Sequence, residues 1–261
     1  MQADTYAKLV LLRATFLHRG LPLIAMQNPA TELKVFTSNA TRALVDALAA
    51  EFERIERCRV SVTHDSAKVM LARIKQGERA DAAVLLRHAI DELVTLGIIT
   101  TASRRLFSRS RIGLGVLSGR PKPDISTTEA FKSTLLEAGS IAHTVHGASG
   151  MYFPKMVEAL GMTEQLRDKI VTRPGGLIGR VVVAGEAEIA FQQVSEILSV
   201  PGLDLVGLIP PEVQTTFESG TGIFADAKQP TLADAFIRFF ATPAADALFG
   251  AKGLESALND L

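Results

Sequence analysis

Five times in this sequence a short apolar stretch runs into Ser, Asn or Gly and then directly into a helical pattern. The places are Thr37-Ser38-Asn39, Asp65-Ser66-Ala67, Ser149-Gly150-Met151, Gly175-Gly176-Leu177 and Gln193-Val194-Ser195. A junction of this kind leaves backbone N–H groups unpaired at the positive end of a helix dipole. Ser hydroxyls add donors, and Gly lets the backbone come close to a ligand. Several such ends converging on one point hold an oxyanion or a carboxylate without a basic patch. The ordinary role of the same residues is structural, since Ser and Asn cap helices and Gly makes turns with no ligand at all. The functional reading therefore rests on how many junctions there are and on their position at strand C-termini, where α/β proteins bind ligands. It makes Thr37, Ser38, Asn39, Ser66, Ala67, Ser149, Gly150, Met151, Gly175, Gly176, Gln193 and Ser195 the ligand-binding candidates, with Ser38, Ser66 and Ser149 foremost.

Arg109, in Phe107-Ser108-Arg109-Ser110-Arg111, joins them as a guanidinium able to reach a carboxylate bidentately, or as a solvated crossover charge. Arg173 is a weaker candidate and reads as a surface Arg. His64 and Asp65 flank the second junction and are the candidates for proton transfer; a helix-capping Asp beside a surface His is the plainer alternative. His143 and His146 lack a third clustered ligand, so no zinc site is expected. Gly147-Ala148-Ser149-Gly150-Met151 lacks the last Gly of a nucleophile elbow, and Gly113-Leu114-Gly115 lies inside a strand rather than at a dinucleotide-binding turn. There is no phosphate-loop Lys, and no cofactor is expected. Cys58 reads as a bystander thiol.

The elements that must position these residues alternate. Strands are expected at Leu33–Phe36, Arg59–Thr63 and Ala80–Leu86, with helices over Thr41–Ile55, Val69–Lys75 and Ile90–Leu96. After a strand at Arg111–Leu117 the rhythm resumes. Helices are expected at Thr127–Leu136, Met151–Leu160 and Leu177–Ala184, and strands at Ser140–Val145, Lys169–Thr172 and Ile189–Gln192. Gly147 to Gly150 reads as a turn, as does Thr37 to Asn39. Such a βαβ rhythm implies largely parallel sheets with helices on their faces. Extended segments near 107–112 and 206–216 divide the chain into two lobes connected twice: 31–108 with 215–261, and 109–214. Helices at Leu232–Phe240 and Ala244–Ala251 return to the first lobe. The fold class expected is a two-lobed α/β protein with its ligand cleft between the lobes.

Composition limits the partners. Lys plus Arg (28) equals Asp plus Glu (28), Trp is absent and Tyr occurs twice. That excludes the basic face and the aromatic platform of a nucleic-acid binder. One cysteine allows no intramolecular disulfide. In residues 1–30 the apolar run Leu9–Leu12 is interrupted by Arg13, His18 and Arg19, so the segment reads as an extension or a degenerate signal. No stretch reaches the roughly 18 apolar residues of a membrane span. A monomer is expected.

Four stretches carry a resemblance: LKVFTSNATRA from Leu33, QGERADAAVL from Gln76, ASGMYFPKMVEAL from Ala148 and GEAEIAFQQVSEIL from Gly185. In order and spacing they resemble the molybdate-binding-protein-like branch of bacterial extracellular solute-binding proteins, over roughly residues 31–257. The resemblance implies a type II periplasmic-binding fold, hinge closure on ligand, a periplasmic location and an ABC importer as partner. A cytoplasmic location follows instead if the N-terminus is as given. It places binding turns at Thr37-Ser38-Asn39, Asp65-Ser66-Ala67, Ser149-Gly150 and Gln193-Val194-Ser195. Molybdate binders in this branch tend to have Ser-Ser-Gly at the second turn and a Tyr near the last. Asp65 and Gln192-Gln193 stand there in this chain, which implies a ligand with hydroxyl or several carboxylate groups.

The same branch resembles bacterial aconitate isomerase, in which one base suffices to move an allylic proton on a bound tricarboxylate. Two readings therefore stay open: a binding protein for a small organic anion, a di- or tricarboxylate before molybdate, and an isomerase in which His64 or Asp65 moves the proton. A LysR-type effector domain shares the fold and ranks last, since no helix-turn-helix precedes Leu33.

Overall fold

The computed structural model describes residues 31–258. The expected extension or signal at 1–30 lies outside them. Strands β1 (Glu32–Ser38), β2 (Arg59–Asp65) and β3 (Ala82–Leu86) are parallel, with β1 in the middle. Each is followed at once by a helix: α1 (Asn39–Glu56), α2 (Ala67–Lys75) and α3 (Arg87–Thr95). Helix α1 buries Leu44, Leu48 and Phe52, the four-residue spacing of a helix lying on a sheet.

The chain then enters β4 (Arg105–Leu117), a single strand of 13 residues. The separate extended segment and strand expected here are thus one element. Its interior glycines explain how. A Cβ at Gly113 would stand 2.7 Å from the Gly207 carbonyl oxygen, and one at Gly115 would stand 2.8 Å from Leu203 Cδ2. Glycine here serves close packing rather than a turn.

The second βα series follows: α4 (Thr128–Glu137), β5 (Ile141–Thr144), α5 (Ala148–Ala159), α6 (Thr163–Leu166), β6 (Ile170–Arg173), α7 (Gly179–Val183), β7 (Ile189–Gln193) and α8 (Val194–Ile197). Strands β6, β5 and β7 are parallel with β5 in the middle, repeating the arrangement of β2, β1 and β3. Strands β8 (Leu203–Leu208) and β9 (Thr216–Ile223) lead back to helices α9 (Pro230–Phe239) and α10 (Pro243–Ala251), and β10 (Glu255–Ser256) closes the chain on β4.

The strand order is β2-β1-β3-β9-β4-β7-β5-β6. Strand β4 joins the two parallel groups. It pairs antiparallel with β9 from Arg105 to Arg111 and with β7 from Ile112 to Val116. The protein is therefore a two-lobed α/β fold of the type II periplasmic-binding kind, with β4 and β9 as the strands of the crossover. The C-terminal helices pack against β1 and α1, where Phe236, Phe240 and Phe249 join Leu33, Val35, Leu48 and Phe52 in one buried cluster. Phe131, Phe153 and Phe191 centre the core of the second. Among the described residues no helix is long and apolar enough to cross a membrane.

Two local expectations change. Thr37 and Ser38 end β1, and His64 and Asp65 end β2, so strand passes into helix without a turn. Ala148, Ser149 and Gly150 are the first turn of α5, and Gly147 is its N-cap. The reason is contact with the strand before it. A Cβ at Gly150 would stand 1.7 Å from the Thr144 carbonyl oxygen, so glycine lets α5 start directly on the end of β5.

Candidate functional site

The first, second and fifth junctions are sharp strand-to-helix passages at the ends of β1, β2 and β7, whereas the third lies in the first turn of α5 and the fourth in the loop between β6 and α7. A Cβ at Gly175 would lie 3.2 Å from Ser66 Cβ and 3.3 Å from its Oγ, so the second and fourth junctions touch across the lobes. Val145 and His146 donate their backbone N–H groups to the Arg173 and Pro174 carbonyls at 2.8 and 3.0 Å, which joins the third to the fourth. Gln192 Nε2 donates to the Gly176 carbonyl at 3.1 Å, which joins the fourth to the fifth. Helix α8 packs against α1. Ala148 is buried in one cluster with Phe36 and Met70, so the start of α5 meets the first lobe too.

Polar groups at these junctions are buried and under-used. Ser38 caps α1 in an extended conformation (φ −84°, ψ 159°), yet its side chain makes no cap hydrogen bond and no acid stands in the first turn. Its Oγ lies 3.1 Å from Thr41 Oγ1, which lies 2.8 Å from Thr37 Oγ1. Ser66 caps α2 in the same way, and its Oγ is buried without a partner. Gln193 Oε1 and Ser195 Oγ are likewise buried and unpartnered. Interior polar atoms are nearly always satisfied, and of the six orphaned among the described residues three lie at these junctions, the others being on Ser108, Ser110 and Thr221 of β4 and β9. Ser149 is 1% exposed within the first turn of α5. Asn39 and Ala67 are half-buried, as the first residues of α1 and α2.

The proton-transfer candidates sit at the rim. His64 and Asp65 are half-buried at the end of β2, in register with Thr37 and Ser38. The Asp65 carboxylate turns back on its own helix: Oδ1 accepts the Ser66 N–H at 2.7 Å, and Oδ2 lies 3.4 Å from Arg73 Nη1.

Arg109 and Met151 are brought together elsewhere. They line an open hollow of about 740 Å³ with Arg87, Ala148, Phe217 and Glu218, and neither Ser38, Ser66 nor Gln193 takes part in it. Arg87 Nη1 and Arg109 Nε donate to the two oxygens of Glu218 at 2.8 and 3.2 Å. The hydrogen bond from Arg87, aided by Arg109, holds that carboxyl below its usual range. The Arg87, Arg109 and Glu218 charges of this hollow already pair with one another. Arg173 pairs with Glu186 at the surface. His143 stacks on Phe153 with ring centroids 4.6 Å apart, and burial lowers its pKa.

One buried acid escaped the sequence reading. Glu196, in the four-residue helix α8, is 6% exposed, and burial pushes its carboxyl up to about 8, against the pull of hydrogen bonds from the Gln193 N–H and the Gln192 and Gln193 carboxamides. A signal existed: Glu196 is the one charge in the run Val194 to Val200 and stands three residues after the N-cap, the position of a capping box.

Residues 33–255 match the family described as bacterial extracellular solute-binding protein. Aconitate isomerase of Pseudomonas sp. is 31% identical over 240 residues, which cover 90% of this chain and 91% of that protein. Among solved structures, the periplasmic molybdate-binding protein of Azotobacter vinelandii superposes with a TM-score of 0.72 at 18% identity, covering 85% of this chain and 98% of that one. The sulfate-binding protein of Mycobacterium tuberculosis superposes with a TM-score of 0.66 at 17% identity, covering 88% of each chain. At these identities the two structures speak for the fold.

Proposed function

We propose that this chain, which belongs to the family of bacterial extracellular solute-binding proteins, binds a small organic anion between its lobes as the solute-binding component of an ABC-type importer. The reading takes 31–108 with 215–261 as one lobe and 109–214 as the other. It takes the periplasm as the place of action. The observation that carries it is the contact of Gly175 with Ser66 across the lobes, with Ser66 Oγ, Gln193 Oε1 and Ser195 Oγ buried and unpartnered at the junctions. Uncapped helix ends supply the N–H donors that an anion needs.

A di- or tricarboxylate suits the site better than molybdate. A tetrahedral oxyanion without protons accepts hydrogen bonds only, while Gln193 Oε1 is itself an acceptor and needs a donor opposite it. The hydroxyl of a hydroxy acid such as citrate supplies one. Thermal melting with a panel of trans-aconitate, citrate, molybdate and sulfate tests the reading. A carboxylate at about 100 times its Kd is expected to add ~2.7 kcal/mol of stability. A panel that leaves the melting temperature unmoved refutes it.

The likeness to an aconitate isomerase favours a second reading, in which the same cleft also shifts an allylic proton. His64 is then the better base, because the Asp65 carboxylate is engaged by the Ser66 N–H and Arg73. Proton NMR of trans-aconitate with the protein in heavy water separates the two. Appearance of the cis isomer with solvent deuterium marks the enzyme, and binding without exchange marks the carrier.

A further inference from the structure

Two glutamines end β7, and alternation along a strand sends them to opposite faces. Gln193 shares its face with Ile189 and Phe191, in the core around Phe131 and Phe153. Gln192 shares its face with Ala190, whose neighbours include the apolar Ile178, Val181 and Val182 at α7. Gln192 is 1% exposed, and a carboxamide buried in such a layer is costly unless it is hydrogen-bonded. Both of its ends are bonded. Nε2 donates to the Gly176 carbonyl at 3.1 Å, and Oε1 accepts the Gly179 N–H at 3.4 Å. Gln193 Oε1, one residue on, is unpartnered. One glutamine is committed to the chain and the other is left open.

The ordinary explanation of Gln192 is structural: it satisfies backbone groups in the loop between β6 and α7. The place of that loop says more. Its start is already tethered, since the Arg173 and Pro174 carbonyls accept the Val145 and His146 N–H groups at 2.8 and 3.0 Å. The next residue, Gly175, comes so close to the first lobe that a Cβ on it would lie 3.2 Å from Ser66 Cβ and 3.3 Å from Ser66 Oγ. Gly176 then turns with φ +89°, a value that favours glycine. Gln192 grips the chain at that turn and again at Gly179, so its bonds begin one residue after the interlobe contact. Ser66 in turn stands at the uncapped start of α2, with its hydroxyl buried and unpartnered.

We propose that Gln192 is a positioning residue of the anion site: by clamping Gly176 and Gly179 it holds the Gly175 backbone against Ser66, and so controls how long an anion stays between the lobes. The proposal rests on the reading of the cleft given above. In that reading an anion at the start of α2 leaves when the lobes part, and parting separates Gly175 from Ser66. A clamped turn is already in its contacting conformation, so closing the cleft costs little conformational entropy. Without the clamp the turn samples other conformations, the contact loosens, and the anion escapes sooner. Entry precedes the contact, so the effect falls on dissociation rather than association.

The test is surface plasmon resonance of the immobilised full chain with citrate, beside amide hydrogen exchange in solution. Gln192→Met removes both hydrogen bonds at similar size. Its dissociation rate is expected to rise on the order of tenfold, with the association rate unchanged to within about twofold. On a Gly175→Ala background, where the Ser66 contact is already altered, the same substitution should change dissociation much less. A brace of the second lobe alone lowers the melting temperature and leaves dissociation as it was, and that result overturns the proposal. So does an equal rise on both backgrounds. Should Gln192→Met fail to fold, the free wild type decides: its Gly179 amide must exchange slowly, held by Gln192 Oε1 before any anion arrives, and fast exchange overturns the proposal. No binding of citrate, trans-aconitate or molybdate by the wild type overturns the functional reading itself, which is a different result from binding with unchanged dissociation.

Discussion

Two helix starts, α1 and α4, solve the same problem in opposite ways. At the start of α4 the Thr127 side chain accepts the Ala130 N–H at 3.1 Å, and Glu129 stands in the first turn. The end is capped and its dipole is answered by a carboxylate of the chain itself. At the start of α1, Ser38 is of equally good capping type, but its hydroxyl turns to Thr41 and the first turn carries no acid. Helix α2 repeats this behind Ser66, whose hydroxyl touches nothing polar. Helix α4 lies away from the junctions, while α1 and α2 start where the lobes meet. The contrast teaches that the residue type of a cap does not tell a structural helix end from a binding one. What tells them apart is whether the chain supplies the acceptor.

Four perturbations break or sharpen this contrast. The largest concerns the helix that must start on a strand. Gly150→Ala drives a Cβ into the Thr144 carbonyl oxygen, 1.7 Å away, and α5 has to shift. A loss of ~4 kcal/mol is expected, as for other severe overpacking, read by urea denaturation. Next, Ser66→Asp gives α2 the acid that α4 already has. Anion affinity should fall about a hundredfold, ~3 kcal/mol, by calorimetry, while the melting temperature holds or rises. Retained affinity would mean that α2 does not face the ligand.

The third perturbation is pH. The Glu196 acid is raised from 4.5 to about 8 in the folded protein. Below the lower value both states hold the proton. Between the two values only the folded state holds it, so rising pH favours unfolding, and above about 8 the loss is complete. The melting temperature of Glu196→Gln minus that of the wild type should therefore grow from near zero at about pH 4 to a value on the order of 10 °C by about pH 8.5. The smallest effect is on the control side. Thr127→Ala should cost ~1 kcal/mol of stability and leave anion affinity unchanged.

Much of the fold was legible because period and punctuation are local properties. Leu44, Leu48 and Phe52 announced α1, and the run of strands and helices announced both parallel groups. Boundaries near glycine misled for one physical reason. Gly147 and Gly150 look like turn residues, yet each meets a neighbour within 3 Å of where its Cβ would be. A glycine chosen for absent volume cannot be told by sequence from one chosen for backbone freedom. The junction serines were legible as a set. The engagement of Arg109 by Glu218 was not, because that partner comes from a distant strand.

The sequence by itself determined that the chain is an α/β protein with repeated strand-to-helix junctions, no basic face and several spare hydroxyl and amide groups. Those follow from residue type and spacing, which need no partner. Only the tertiary structure decided which junctions meet, that Ser66 faces Gly175 across the lobes, and that Glu196 is buried in α8. Contact and desolvation depend on what other segments bring to the same place, and a carboxyl's charge state depends on both.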